Sequence, residues 1–143
     1  MKAVINLFPI RPLPTFENLS EELYAEISTI VGKEYTSVSS SVFRNYSLFF
    51  FLPENAFVYY FPALILATRK NFDDCRFCVE YTIDLFVSDA EFQHRWKKFS
   101  LKQRYFIADW IDSIRARFRD SETDDVFIVA IDILRGDDRY WLS

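Results

Sequence analysis

Apolar residues recur at helical spacing through most of the chain, and the first such stretch follows a proline-rich lead-in. This stretch predicts a helix that begins with a cap at Thr15 and runs to about Val31. Gly32 is a natural stop, because glycine accepts the left-handed conformation that often ends a helix. The apolar positions of this helix are Leu19, Leu23, Ile27 and Ile30.

The middle of the chain predicts two further helices. Periodicity does not distinguish a short helix from an extended run over residues 42–52. Pro53 suits the first turn of a helix that runs to about Lys70 and is apolar nearly all round, as expected of a buried element. Asp73 or Asp74 can cap the next helix, which reaches about Val87.

Residues 48–67 read LFFFLPENAFVYYFPALILA, which is about the length that crosses a bilayer. Pro53 and Glu54 interrupt this run, and a charged side chain near the middle of a span is costly. The apolar part after Glu54 is too short to span alone. The pattern therefore predicts a buried helix and no membrane partner.

The clearest local signal is the sequence FSLKQ at residues 99–103. Ser100 and Gln103 have the spacing of a capping box, in which each side chain accepts from the other residue's backbone N–H. The helix behind it carries an apolar stripe of Ile107, Trp110, Ile111, Ile114 and Phe118. Four basic residues fall largely off the stripe and are expected to be solvated: Arg104, Arg115, Arg117 and Arg119.

The last segment, residues 124–134, has the amino-acid composition of a strand, but the residues that flank it are typical of helix ends. Ser121 or Thr123 precedes it and Gly136 follows it, so helix is favoured. The whole pattern predicts a mainly α protein, a single-domain helical bundle of about five to six helices over residues 1–143. A short strand at the N-terminus or in residues 124–134 stays an alternative.

Composition supports this fold class. Half of the residues are hydrophobic, 19% are aromatic and only two are glycine, which suits a packed helical globule better than a sandwich or barrel. The two cysteines are too few for a disulfide framework, and the first residues do not resemble a secretory signal. We therefore expect a cytoplasmic protein.

No catalytic constellation is recognisable. Cys75 and Cys78 form a C-x-x-C, but the second ligand pair of a zinc site and the strand–helix–strand context of a redox motif are missing, so core packing is favoured. His94 lies among cations and is interpreted as a surface residue. With no catalytic residues, metal ligands or cofactor motif predicted, the chain is interpreted as a binding protein. An enzyme of unrecognised type using Cys75 or His94 is the less favoured reading.

Charge is unevenly distributed along the chain, and a basic segment and an acidic segment each suggest a binding surface. Between Arg69 and Arg119 the chain has 11 basic and 8 acidic residues. The basic positions Arg95, Lys97, Lys98, Lys102 and Arg104, with Trp96, Phe99 and Tyr105 among them, resemble a nucleic-acid surface. Because the sequence pI is about 5.0, we favour the plainer view that the rings point inward and the charges are solvated. A nucleic-acid-binding or regulatory helical protein that uses the basic face of residues 95–119 stays the alternative function.

Between Asp120 and Asp138 there are seven acidic residues against Arg135 alone, a net charge of −6. A position at the start of a helix explains Asp124 and Asp125, since the helix dipole favours carboxylates there. The helix dipole does not explain Asp137 and Asp138, which follow the other end of the predicted helix. A docking surface for a basic partner fits the segment at least as well as a metal site.

Two segments carry a family resemblance: FLPENAFVYYFPA at residues 51–63 and FSLKQ at residues 99–103. Over residues 44–118 the chain resembles small bacterial proteins that pair these core and helix-start motifs, several of which are similar to immunity proteins, including the CdiI proteins of contact-dependent growth inhibition. Phe61 stands where leucine is commoner in that pattern.

The resemblance implies an antitoxin that binds the C-terminal toxin domain of its cognate system, a basic nuclease in our hypothesis, and needs no cofactor. It transfers no catalytic residue, so the toxin-binding surface is assigned from charge and exposed aromatic rings. The predicted toxin-binding residues are Asp120, Glu122, Asp124, Asp125, Asp137, Asp138, Tyr140 and Trp141.

Overall fold

The fold is mainly α, as the sequence predicts. The computed structural model describes residues 1–118, 120–136 and 141–142, and this part of the chain contains eight α-helices and no strand. The helices are α1 (Lys2–Leu7), α2 (Glu21–Ile27), α3 (Leu48–Phe51), α4 (Glu54–Lys70), α5 (Phe72–Ser88), α6 (Ala90–Arg95), α7 (Leu101–Ile114) and α8 (Ser121–Leu134). Short 3₁₀ turns lie at Tyr35–Ser37, Ser40–Arg44, Trp96–Lys98 and Arg115–Arg117.

Two of these helices, α1 and α6, were not predicted, which is why the count exceeds five to six. Each is only six residues long, so apolar spacing leaves little trace. The alternative of a strand at the N-terminus is wrong, because α1 occupies that position. No helix among the described residues is long and apolar enough to cross a membrane.

The chain divides into two compact units, residues 1–82 and residues 83–143, with the boundary inside α5. The single domain over residues 1–143 stays a prediction. The first unit is built on α4, which is buried along most of its length, as its sequence predicts. Four packed rings form its aromatic core: Phe43, Phe49, Phe57 and Phe61.

Three tyrosines fix the irregular N-terminal chain of the first unit. The Tyr35 hydroxyl donates to the Phe8 carbonyl, and the Tyr59 hydroxyl donates to the Ile10 carbonyl at 2.6 Å. The Tyr60 hydroxyl lies 2.8 and 2.7 Å from the carbonyl oxygens of Ile30 and Lys33. These carbonyls lie outside helices or at their ends, where backbone acceptors are not all used by a helix, so the hydroxyls attach the irregular chain to the rest of the unit.

Two predicted helix starts are wrong by a few residues. The helix expected from Thr15 to Val31 is α2, whose cap is Ser20, and its side chain accepts from the Leu23 N–H at 3.0 Å. Asn18 has a φ of 55°, a left-handed conformation that prevents a helix from passing through it. In α5 the Asp74 N–H donates to the Asn71 side chain at 3.3 Å, so Asn71 takes the capping role expected of Asp73 or Asp74.

In the second unit, the capping box at the start of α7 is confirmed. The Gln103 N–H donates to Ser100 Oγ at 3.1 Å, and the Ser100 N–H donates to Gln103 Oε1 at 2.9 Å. The predicted apolar stripe from Ile107 to Phe118 is buried. The helical reading of residues 124–134 is also confirmed, since they lie in α8.

Both ends of α8 are capped in the ways that are common for helices. Its cap is Asp120, one residue before the expected Ser121, and the Asp120 carboxylate accepts from the Glu122 N–H at 3.0 Å. After the last turn Gly136 has a φ of 94° and its N–H donates to the Ile133 carbonyl at 3.0 Å. A residue with a side chain would be strained in that conformation, so this glycine has a structural reason to be there.

Candidate functional site

The candidate surface lies on α8 and on the helix that packs against it, α7. Two ion pairs join these helices: Arg115 Nε lies 3.4 Å from Asp124, and Arg135 Nη2 lies 3.1 Å from Asp109. The end of α7 therefore meets the start of α8, and the end of α8 meets the middle of α7. This register is that of an antiparallel helix pair.

Two of the predicted binding carboxylates are used inside the protein. Asp120 caps α8 and also accepts from the Thr123 hydroxyl at 3.4 Å. Asp124 pairs with Arg115, which also lies 3.7 Å from Asp112. The charge of Asp124 is thus partly compensated. Asp124 is therefore not the unpaired carboxylate that the sequence predicts for toxin binding.

Three carboxylates remain available on the outer side of α8. Glu122, Asp125 and Asp132 are exposed, and within the described residues none of them has a hydrogen-bond or ion-pair partner for its side chain. Asp125 and Asp132 are seven residues apart on one side of the helix, with Ile128 between them.

Ile128 is 36% exposed, which places an apolar side chain among these carboxylates. We call Glu122, Asp125, Ile128 and Asp132 the α8 face. Only the charge pattern is visible in sequence. Ile128 belongs to the same apolar run as its buried neighbours, so the sequence offered no signal that it lies outside.

Trp141 is not the exposed anchor that was predicted. Its side chain is half-buried, and its ring packs edge-on against Phe86 with the centroids 5.8 Å apart. The Lys97 ammonium and the Arg104 guanidinium carbon lie 5.6 and 5.2 Å from the centre of the indole. The ring is therefore engaged within the second unit by cation–π and aromatic contacts.

Gln93 completes this arrangement and was missed at the sequence level. It is only 1% exposed, its Nε2 donates to the Phe86 carbonyl at 2.8 Å, and its Oε1 accepts from the Leu142 N–H at 2.5 Å. A glutamine beside a histidine in a charged segment gave no indication of burial. The remaining predicted binding residues, Asp137, Asp138 and Tyr140, lie outside the described residues.

The basic segment has fewer rings to offer than a nucleic-acid surface needs. Trp96 and Phe99 are buried, as the plainer reading predicted, while Tyr105 is 45% exposed. Arg104 was expected in solvent but is partly buried, with its Nη2 donating to the Lys97 carbonyl at 2.8 Å. Lys97 and Arg104 are thus drawn toward Trp141, and neither stands over a free stacking ring.

The candidate catalytic groups occupy unreactive or isolated positions. Cys75 and Cys78 are fully buried, and burial raises the pKa of both thiols to about 12. A thiol with such a pKa is protonated at neutral pH and is a poor nucleophile. His94 is exposed, as predicted. Among the described residues no group of three His, Cys, Asp or Glu side chains is arranged to hold a metal ion.

Comparisons with protein-family models, with curated proteins and with solved structures find no match to this chain. The α8 face therefore has to be interpreted from its own geometry and from the resemblance in the sequence motifs.

Proposed function

We propose that this chain is a cytoplasmic immunity protein that binds and neutralises the C-terminal toxin domain of a cognate contact-dependent inhibition system, a basic nuclease. The observation that carries the proposal is the α8 face, where exposed carboxylates that have no partner among the described residues surround an exposed isoleucine. The motif resemblance at residues 51–63 and 99–103 gives the proposal its biological setting.

The chemistry of such a face suits a nuclease as partner. A nuclease binds the nucleic-acid backbone with Lys and Arg side chains, and carboxylates present the same negative charge as phosphates. Charge of opposite sign steers the two proteins together and accelerates association, particularly at low salt. Neutralisation then follows from covering the toxin's binding cleft, so no catalytic group is needed in the inhibitor.

Ile128 supplies what charge alone lacks. Charges at the rim of an interface mainly affect the association rate, whereas apolar side chains buried at its centre slow dissociation. Its position between Asp125 and Asp132 places an apolar contact at the middle of the charged surface.

The first test is co-expression with the toxin domain encoded directly upstream. A stable complex that abolishes toxicity would support the proposal. Failure to form a complex, with the toxin still lethal, would refute it.

The second test assigns the surface by surface plasmon resonance. Reversing both charges in one double variant, Asp125→Lys with Asp132→Lys, should lower the association rate by about tenfold or more at low salt, because electrostatic steering raises association rates by about tenfold or more. Ile128→Ala should instead raise the dissociation rate. Glu26→Lys, a reversal at an exposed position on α2, is the matched control and should change neither rate. A complex whose rates are the same in all the variants would place the toxin elsewhere on the molecule.

A further inference from the structure

We propose a second docking surface in the first unit, which binds a basic amphipathic helix of a partner protein. It consists of Asp73, Phe77, Glu80 and Tyr81 on the outer side of α5, together with Tyr46, and we call it the α5 face. It shares no residue with the α8 face, so it stands or falls independently of the proposed immunity function.

The α5 face contains contiguous exposed aromatic surface. Phe77 is 67% exposed, the highest value among the large hydrophobic side chains described, and Tyr46 is 52% exposed. The Tyr46 ring packs edge-on against Tyr81 with the centroids 5.1 Å apart. Phe77 and Tyr81 are four residues apart on α5 and are therefore surface neighbours. At about 200 Å² for a whole aromatic side chain, Phe77 and Tyr46 alone expose about 240 Å².

The rings are held in place by packing on the other side of α5. Cys75, Cys78 and Val79 are completely buried, which fixes the rotation of the helix and turns Phe77 outward. A single exposed apolar side chain is ordinary on a protein surface, whereas neighbouring exposed rings on one helix face give a larger apolar area that a partner can cover.

The position of Tyr46 is fixed as well. Asp74 accepts from Arg44 Nε at 2.7 Å and from the Ser40 hydroxyl at 3.0 Å. These contacts attach the Ser40–Arg44 turn to the start of α5, only two residues before Tyr46. The surface is thus preorganised, which lowers the entropic cost of binding.

Charge identifies the partner. Asp73 lies four residues before Phe77 and Glu80 three residues after it, so a carboxylate flanks the ring on each side along the same stripe. Neither carboxylate has a described ion-pair partner, and the nearby Arg76 guanidinium lies over the Phe72 ring at 5.1 Å. The complement is an apolar side chain with Lys or Arg one turn to either side, which is the pattern of a basic amphipathic helix. The tyrosine and phenylalanine rings add cation–π attraction for the same cations.

The test uses the full chain labelled with ¹⁵N and a synthetic amphipathic helical peptide of leucine and lysine. We expect amide shifts centred on Phe77 and Tyr81, and an affinity that weakens as salt increases. The corresponding leucine–glutamate peptide should cause no shifts.

Four variants separate the two faces. Phe77→Ala and Glu80→Lys should each weaken peptide binding by about tenfold, as expected for a central ring and a flanking charge. Glu26→Lys on α2 and Asp125→Lys on α8 should bind as the wild type does. Phe77, Glu26 and Asp125 are exposed and Glu80 is partly exposed, and a dispersed amide spectrum confirms that each variant is folded.

The proposal is overturned if the leucine–lysine peptide causes no shifts, if the shifts lie on the α8 face, or if Phe77→Ala and Glu80→Lys bind normally. Binding of phosphatidylglycerol vesicles in place of the peptide would also overturn it, because it would identify an anionic surface as the partner. Loss of toxin binding in the Asp125→Lys and Asp132→Lys double variant bears on the proposed immunity function and leaves the α5 face intact.

Discussion

Gln93 should stabilise the second unit out of proportion to its size, because one buried amide serves two separate backbone groups. The Phe86 carbonyl belongs to the last turn of α5, where carbonyls lack a partner within the helix, and Gln93 Nε2 supplies one at 2.8 Å. Gln93 Oε1 accepts from the Leu142 N–H, 49 residues away in sequence. The side chain thus links a helix end to the residue that follows Trp141.

Gln93→Met is the sharpest perturbation, since methionine is close in length and volume but replaces neither hydrogen bond. Each bond contributes about 1 kcal/mol net, and a buried group left without a partner costs about 1 kcal/mol more. Apolar burial of the methionine offsets part of this loss. We therefore expect the free energy of unfolding to fall by about 2 kcal/mol.

Urea denaturation followed by tryptophan fluorescence measures this loss. All three tryptophans, Trp96, Trp110 and Trp141, lie within residues 83–143, so the signal reports on the second unit. At an m-value of about 2 kcal/mol per molar urea, the midpoint should fall by about 1 M.

A shortened chain ending at Trp141 provides the control, because it lacks the Leu142 N–H but keeps the Trp141 ring and all three tryptophans. In that background Gln93→Met should cost about 1 kcal/mol less than in the full chain, which is the non-additivity expected of residues in contact. If the two changes are additive, or if Gln93→Met leaves the urea midpoint unchanged, the linking role of Gln93 is refuted.

Three further predictions concern the first unit. Tyr60→Phe should lower the free energy of unfolding by about 1–2 kcal/mol at neutral pH in urea denaturation, since a buried hydroxyl bonded to carbonyls is lost, while Tyr24→Phe at an exposed site should be neutral. Burial raises the pKa of Tyr60 from 10.0 to about 12, so its stabilising contribution is complete below pH 10 and is lost as the pH rises toward 12. Because burial also raises the pKa of Tyr35 to about 12, Tyr60→Phe should lose stability over this range too, but less than the wild type loses. Cys75 and Cys78 should resist Ellman's reagent in the native state and both react in urea, and rapid native labelling would contradict their burial. The hydrogen bond from Arg44 holds the pKa of Asp74 below its usual value. Asp74→Asn should therefore destabilise the protein at pH 7, and this destabilisation should disappear at acid pH, where Asp74 is protonated in the wild type. An equal destabilisation at every pH would argue against the ion pair.

The long helices could be predicted because their signals are local. The capping box before α7 and the glycine after α8 need only neighbouring residues, and both lie where the sequence places them. Helix starts were less predictable where several capping residues compete. Ser20 acts as a cap because the left-handed Asn18 keeps the chain before it out of a helix. Asn71 acts as a cap because α4 ends there, where Asn71 has a φ of −151°, and sequence alone does not give these conformations.

The candidate site was predictable in its charge but not in its details. That residues 120–132 carry acidic side chains follows directly from the sequence. Which of them are free depends on the register of α7 against α8, since this register brings Arg115 to Asp124. Trp141 was expected to be exposed and is half-buried for a similar reason: its burial depends on Phe86, Lys97 and Arg104, which are distant in sequence.

The division between used and free carboxylates determines the kind of binding that the α8 face can offer. Exposed ion pairs contribute about 0–1 kcal/mol each, so Arg115 and Arg135 could exchange their present partners for a toxin's carboxylates at little cost. Those partners, Asp124 and Asp109, would then be released, and the total charge of the surface would remain the same. Glu122, Asp125 and Asp132, which have no partner among the described residues, need no such rearrangement and set the electrostatic field that an approaching partner meets. Because that field depends on net charge more than on any one contact, we expect the surface to tolerate the loss of a single carboxylate and to fail when several are reversed together.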